Sequence, residues 1–478
     1  MIKPFQSFLY GVILFLNISL KAQPVYTPEK RIDSLFSRYT SQTPGVAVAI
    51  VKDGKIVFEK GYGMADLEND VPITPQTVFH VASVSKQFTA FSIYLLENEG
   101  KISFEDDIRK YIPELPDYGT PIKIKHLLAH TSGLRDQWSI LTLAGWRFDD
   151  VITTEQILKL VSNQKNLNFE PGGQYNYCNT GYTLLAEIVH RVTGLSFSDF
   201  TKKNIFEPLG MSSTQFYEDF QKIVKRRANS YEKTDNVYYH KRLNYSNVGA
   251  TSLMTTVEDL SKWVLNFENP KVGNARLIQS FNEPSYLNNG KKAVSNIIDG
   301  DTLYHAKGQL IRDYRGVRIF KHGGHDAGFR AFLGRFPEKH FAIITLSNDE
   351  HYEIFKTGLE IAGFYLKNDL QEKKTSTLPP ASTDKPVADF HSSLKDFEGI
   401  YHSEELTTDY QVKVKGEKLV MQHRRLSDIE LTRTGENKFS GVNTFSFEIE
   451  FLKKKGGSIG SFEISNFGAK KVKFEKVN

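Results

Sequence analysis

Two strand-like runs, GVAVAIVK and KIVFEK, flank Asp53-Gly54 between residues 45 and 60. That dipeptide suits the positive φ angles of a type I′ turn, so the segment predicts a β-hairpin. Downstream, QFTAFSIYLLENEGK spreads Phe88, Phe91, Ile93, Leu95 and Leu96 in a helix-like pattern that Gly100 closes as a C-cap. Residues 105–310 predict mainly helices with long polar connections. Residues 180–192, closed by Gly194, and residues 257–267 are the clearest of these helices. β-Character returns at 317–322, 328–336 and 340–346, and 350–365 predicts a closing helix. Strands at both ends with helices between them predict one sheet built from both chain ends and covered by helices, an α/β (α+β) architecture.

Residues 371–388 contain QEKKTSTLPPASTDKP, which lacks large apolar residues and reads as a linker. Beyond it, residues 389–478 alternate polar and apolar positions in short runs separated by turn residues. This predicts a small antiparallel β-barrel or sandwich serving as an accessory domain. The first 22 residues have a different pattern. Lys3 precedes the apolar run FLYGVILFLNISL, and Ala22 offers a cleavage point. The run is short for a bilayer span, which needs roughly 20 apolar residues, and predicts a signal peptide and an exported mature chain. The expected organisation is therefore a leader (1–22), a main domain (23–370), the linker, and the C-terminal β domain.

A chain of 478 residues with 40% hydrophobic and 24% charged residues is globular and large enough for two or three domains. Removing the leader takes away Lys3 and Lys21 and no acid, so the net charge falls from +5 to +3. That charge is too small and scattered for a nucleic-acid partner. Cys178 is the one cysteine, so no internal disulfide forms. His126 and His130 have i, i+4 spacing but lack the further ligands of a zinc pattern. No metal and no cofactor are expected, and no membrane span after leader removal. The oligomeric state is open.

Three segments carry chemistry. Ser83-Val84-Ser85-Lys86 is an S-x-x-K pattern, which on a helix places an amine beside a hydroxyl. A serine hydroxyl needs such a base to become a nucleophile, and burial lowers a lysine pKa enough to serve. The helix N-terminus adds N–H donors for an oxyanion. The pattern occurs five times, at Ser83, Ser162, Ser230, Ser382 and Ser392, but only Ser83 sits between an apolar stretch and a good helix. Tyr177-Cys178-Asn179 follows a turn-rich Pro171-Gly172-Gly173 loop and opens a helix; Y-x-N also occurs at Tyr245 and Tyr286. Near cations, Tyr177 is expected to lose its proton readily and act as a base. Asn179 is expected to bond both the lysine and a substrate carbonyl. Finally, His322-Gly323-Gly324-His325 ends a strand in glycines, where backbone approaches a ligand closely.

Taken in order, VFHVASVSKQFTA, IKHLLAHTSGL, FEPGGQYNYCNTGY, IFEPLGM and HGGHDAGF resemble the serine β-lactamase and penicillin-binding-protein superfamily, closest to its class C-like branch. The resemblance spans roughly residues 32–366. It implies a β-lactamase/transpeptidase-like fold, an antiparallel sheet flanked by helices plus a helical subdomain. It implies Ser83 as acylated nucleophile, Lys86 as its proton partner and Tyr177 with Asn179 as the second motif. His322-Gly323-Gly324 would stand in place of the lysine-threonine-glycine motif, with the N–H of about His325 as second oxyanion donor. The missing third-motif lysine, replaced by a titratable His322, disfavours efficient β-lactam hydrolysis. The expected function is an exported serine hydrolase acting on an ester or amide, of D-peptide or peptidoglycan type. The alternatives are a true β-lactamase and an inactive cell-wall-binding or sensor protein.

Overall fold

The computed structural model describes residues 27–298, 301–372 and 390–477. The proposed leader and most of the linker lie outside them. The predicted hairpin forms as β1 (Val46–Lys52) and β2 (Lys55–Tyr62), and Asp53 and Gly54 take φ angles of 49° and 73°. β1 is buried on both faces, which explains its unbroken apolar run, whereas β2 is the charged, exposed edge of the sheet.

The main sheet has eight antiparallel strands. The remaining six are β3 (Val294–Ile298), β4 (Asp301–Ala306), β5 (Gln309–Tyr314), β6 (Val317–Asp326), β7 (Phe329–Phe336) and β8 (Phe341–Ser347). Their order is β3-β4-β5-β6-β7-β8-β1-β2, so the two chain ends meet where β8 pairs with β1. β3 and β4 fall where the sequence predicts helices, and β5 begins at the end of that region. Their short runs VSNII, DTLYHA and QLIRDY mix polar residues into half-exposed positions, which blurs the strand alternation.

One face of the sheet packs against α1 (Pro28–Leu35) and the closing helix α6 (Ile354–Tyr365) through Val48, Ile50, Phe332 and Ile361. The other face buries Ala49, Leu333 and Ile344 in a larger core shared with the helices. Those helices include α2 (Ser85–Asn98), α3 (Gln137–Leu143), α4 (Asn179–Thr193) and α5 (Val257–Asn266). α4 ends on Gly194 at φ 71°, as its sequence predicts. No helix among the described residues is long and apolar enough to cross a membrane.

The C-terminal segment closes into an eight-stranded antiparallel barrel running from Gly399–Ser403 to Val472–Val477, whose first and last strands pair. Tyr401, Phe439, Phe451, Phe462 and Phe474 fill it, so the interior is solid core. The barrel is bound tightly to the helices. Arg135 is buried and donates to Glu405 Oε2 at 2.5 Å, to Gln164 Oε1 at 2.9 Å and to the carbonyls of Lys470 and Lys471. Gly468 O accepts the Asp136 N–H at 2.7 Å, and Tyr410 donates to Leu143 O at 3.1 Å. Removing one member of a buried ion pair strands the other charge. Glu405→Ala is therefore expected to cost about 3–5 kcal/mol in urea unfolding. Glu430→Ala, which breaks an exposed pair with Lys418, is expected to cost less than about 1 kcal/mol.

Candidate active site

Ser83 lies on a 3-10 turn, Ala82–Val84, that runs directly into α2. The turn is held in a strained shape. Ala82 has φ 47°, unusual for a residue with a side chain. Three contacts secure it: Ala82 N–H donates to His80 Nδ1 at 3.2 Å, Ser85 Oγ donates to Ala82 O at 2.5 Å, and Val81 N–H donates to Leu253 O at 3.0 Å.

The Lys86 amine is fully buried and has three partners: Ser83 Oγ at 3.1 Å, Asn179 Oδ1 at 2.8 Å and Ala250 O at 2.6 Å. The amide and carbonyl oxygens can only accept. A neutral amine that donates to both therefore points its lone pair at the Ser83 hydroxyl. Burial brings the Lys86 pKa down to about 7, against the opposing pull of the Asp326 and Asp136 carboxylates. Tyr177 donates to Ser83 Oγ at 3.0 Å. Burial holds its pKa well above the ordinary phenol value, although the bond to Ser83 acts in the other direction. Burial thus opposes the easy deprotonation expected of Tyr177, which meets Ser83 as a hydrogen-bond donor.

A second layer orients these groups. Asp136 Oδ2 accepts from both the Asn179 backbone N–H (2.6 Å) and its side-chain amide (2.8 Å), while Oδ1 caps α3 at the N–H groups of Trp138 and Ser139. Asn179 is therefore committed through its oxygen to Lys86 and through one N–H to Asp136, and its expected contact with a substrate carbonyl rests on the second amide hydrogen alone. His130 accepts the Cys178 N–H on Nδ1 at 3.1 Å and lies against the rings of Tyr177 and Tyr182 at 4.3 and 4.9 Å. Desolvation keeps it neutral, its pKa held well below the usual imidazole value. Cys178 turns away, with Sγ toward Leu134 O and burial pushing its thiol up to about 12.

β6 lies alongside. Its pairing with β5 ends at Leu310 and Lys321, whereas pairing with β7 continues to Asp326 and Phe329. Residues 322–326 thus leave one edge without a strand partner, free to align an extended ligand. His322 is buried, donates from Nδ1 to Gly323 O at 2.7 Å, and is pushed down to about 3 by burial and by Lys86. It is a neutral ring near physiological pH, which corrects the titratable cation expected in place of the motif lysine. Gly323 faces Ile354 and Phe355 of α6, and Gly324 faces the Ser83 turn. Of the candidates, Ser83, Tyr177, Asn179 and His325 line the cleft, and Lys86, His322 and the two glycines sit behind it.

The cleft holds about 1000 Å³. One wall is an aromatic chain from Tyr245 through Trp138 (4.8 Å) and Phe148 (5.8 Å) to Phe445 (5.8 Å) and Phe467 (5.0 Å). Phe445 and Phe467 come from barrel loops. The rival Tyr245 motif is thus a wall residue, and Tyr286 is exposed. Ser162, Ser230 and Ser392 are engaged with backbone elsewhere, and Ser382 lies outside the described residues. Asp326 also enters the cleft, held by Thr251 and 3.9 Å from His80 Nδ1, and raised to about 6 by burial. His80, Asp136, Asp326 and the two barrel phenylalanines were absent from the sequence candidates. His80 sits inside VFHVASVSK and Asp326 directly follows the HGGH run, so proximity to the motifs is the signal that could have found them.

A half-buried serine and tyrosine meet a buried lysine at a helix start, beside an open sheet edge, the arrangement that the resemblance to the penicillin-recognising serine hydrolases implies. The β-lactamase family model matches residues 32–361, and the chain belongs to that family of serine hydrolases. Penicillin-binding protein 4* of Bacillus subtilis (strain 168) is 28% identical over 431 residues, covering 84% of this chain and 89% of that protein. The D-aminopeptidase of Brucella anthropi is 26% identical over 327 residues, 68% of this chain but only 59% of the relative, so less than two thirds of it is matched. The octameric penicillin-binding protein homologue from Pyrococcus abyssi superposes with a TM-score of 0.61 at 22% identity, covering 94% of this chain and 99% of that one.

Gly324 is set by sterics, because a Cβ there would meet Val81 O at 2.2 Å, whereas one at Gly363 in α6 meets nothing within 4 Å. Gly324→Ala is expected to destabilise the fold by about 1–3 kcal/mol. Gly363→Ala is expected to be neutral or to stabilise by about 0.5–1 kcal/mol, read by the same urea titration.

Proposed function

We propose that this chain is an exported hydrolase that cleaves an ester or amide, of D-peptide type, through an acyl-enzyme on Ser83. The observation that carries the reading is the buried Lys86 amine, set between two pure acceptors and the Ser83 hydroxyl, with burial bringing its pKa down to about 7. Ser83 Oγ attacks the carbonyl carbon and passes its proton to Lys86 Nζ. The oxyanion is held by the N–H of Ser83 and that of His325. The Tyr177 phenol protonates the leaving amine or alkoxide and is reprotonated by the Lys86 ammonium. Water then attacks the acyl carbon, its proton taking the reverse route, and Ser83 is released. The neutral His322 offers no cation for a β-lactam carboxylate, and the aromatic wall favours a bulky apolar group on the substrate. The D-aminopeptidase relative agrees with a D-amino acyl substrate. The N-terminal apolar segment supports export.

Intact mass and peptide mapping after fluorophosphonate treatment are expected to show one adduct on Ser83, lost in Ser83→Ala. A labelled penicillin is expected to leave little adduct. Stable penicilloylation would instead favour a D,D-peptidase-like site, and no adduct from either reagent on folded protein would defeat the hydrolase reading.

The pH dependence follows from Lys86. The neutral amine is the active form, and its fraction rises with pH through about 7. Acylation is expected to be about tenfold slower at pH 6 than at pH 8, levelling above that. Asp326 titrates near about 6, so the limb belongs to the coupled pair. Asp136→Asn removes a carboxylate that favours the ammonium form and is expected to move the limb to lower pH. A limb that stays in place would show that Lys86 is not the titrating base.

A further inference from the structure

The opposite face of the sheet carries a second cavity. It is a groove of about 840 Å³ between β3–β6 and α6, a size that suits a small organic ligand. Its floor and walls are apolar: Leu303 and Leu310 from the sheet, Phe355 and Leu359 from α6. Set in that floor are two cations, Arg312 on β5 and Lys321 on β6, only 4% and 3% exposed. The register pairs Leu310 with Lys321 and Arg312 with Ile319, so both cations project from the same face of adjacent strands.

Among the described residues, neither has an acidic partner. Arg312 Nε and Nη1 have no hydrogen-bond partner among those residues. The Lys321 amine rests over the Phe355 ring at 4.5 Å, and the charge it feels most is that of Arg312, which with burial brings its pKa down to about 8. Two like charges buried side by side without a counter-charge are costly. Water would satisfy their N–H groups and leave the charge uncompensated. The rim adds Arg31, Arg315, Lys356 and Lys367 against the single acid Glu360. A small inorganic anion would answer the charge and leave the apolar floor bare.

We propose that this groove binds an acyl-chain carboxylate, its head group between Arg312 and Lys321 and its chain along Leu303, Leu310 and Leu359. The site is separate from the Ser83 cleft, on the other side of β6, and does not depend on how that cleft is read.

The test is isothermal titration of the full chain with dodecanoate below its micellar concentration. One-site binding is expected, unchanged when Ser83 is first blocked with a fluorophosphonate. Arg312→Gln and Lys321→Gln are each expected to weaken it at least about tenfold, since each removes a charge-assisted contact. Leu359→Glu, at the groove's partly exposed wall, keeps both cations but obstructs the chain and is expected to weaken it similarly. This last variant decides the matter should either cation prove necessary for folding. Inorganic phosphate and dodecyltrimethylammonium are expected not to compete. Absence of dodecanoate binding, binding indifferent to Arg312→Gln and Leu359→Glu, loss on blocking Ser83, or phosphate binding as tightly as dodecanoate would each overturn the proposal.

Discussion

Taking the Lys86 amine out of water is the constraint around which this molecule is arranged. An ammonium in that position would be costly, so burial favours the neutral amine. Neutrality alone would leave the lone pair free to rotate. The Asn179 and Ala250 oxygens remove that freedom by occupying two N–H groups. Asn179 is in turn fixed by Asp136, and the Asp136 backbone is tied to Gly468 of the barrel. Orientation of one nitrogen is thus secured by residues from three regions of the chain, each link a short hydrogen bond between buried groups.

This organisation changes what the C-terminal barrel is. Its composition reads as an appended module. In the folded protein it shares one apolar core with the helices and supplies Phe445 and Phe467 to the cleft. The barrel loop at 466–469 also presses on Asp136, leaving no room for a side chain at Gly468. Cleft shape and lysine orientation therefore depend on the same contact surface.

The hairpin at 46–62, the helix after Ser83 and the helix after Tyr177 were legible because local pattern and final environment agree: alternation or a helical spread, ended by Asp53-Gly54, Gly100 or Gly194. The strands from Val294 to Tyr314 were not, since their pairing is set by neighbours in the sheet rather than by their own alternation. The spacing of Ser83 and Lys86 is local and could be read directly. The tie from Asp136 to Asn179 crosses 43 residues and that from Arg135 to Glu405 crosses 270, which no periodicity records. The proton position on Tyr177 was misread for a related reason. A nearby cation lowers a phenol pKa, but burial, legible only in three dimensions, acts the other way and dominates at Tyr177.

The adjacent glycines of β6 have a consequence for alignment. A Cβ at Gly323 would crowd the side-chain ends of Ile354 and Phe355 on the α6 side, at 2.5 and 2.7 Å, and Gly324 leaves no room on the Ser83 side, where the Val81 carbonyl lies 2.2 Å away. A strand can slip along its neighbours by one residue, which turns every side chain to the other face. Here a slip in one direction drives His325 into the place of Gly324, and a slip in the other drives His322 into the place of Gly323. Both are blocked by opposite layers of the molecule. The pair works as a two-sided key that admits a single register, and the open edge at 322–326 stays in step with the serine it faces.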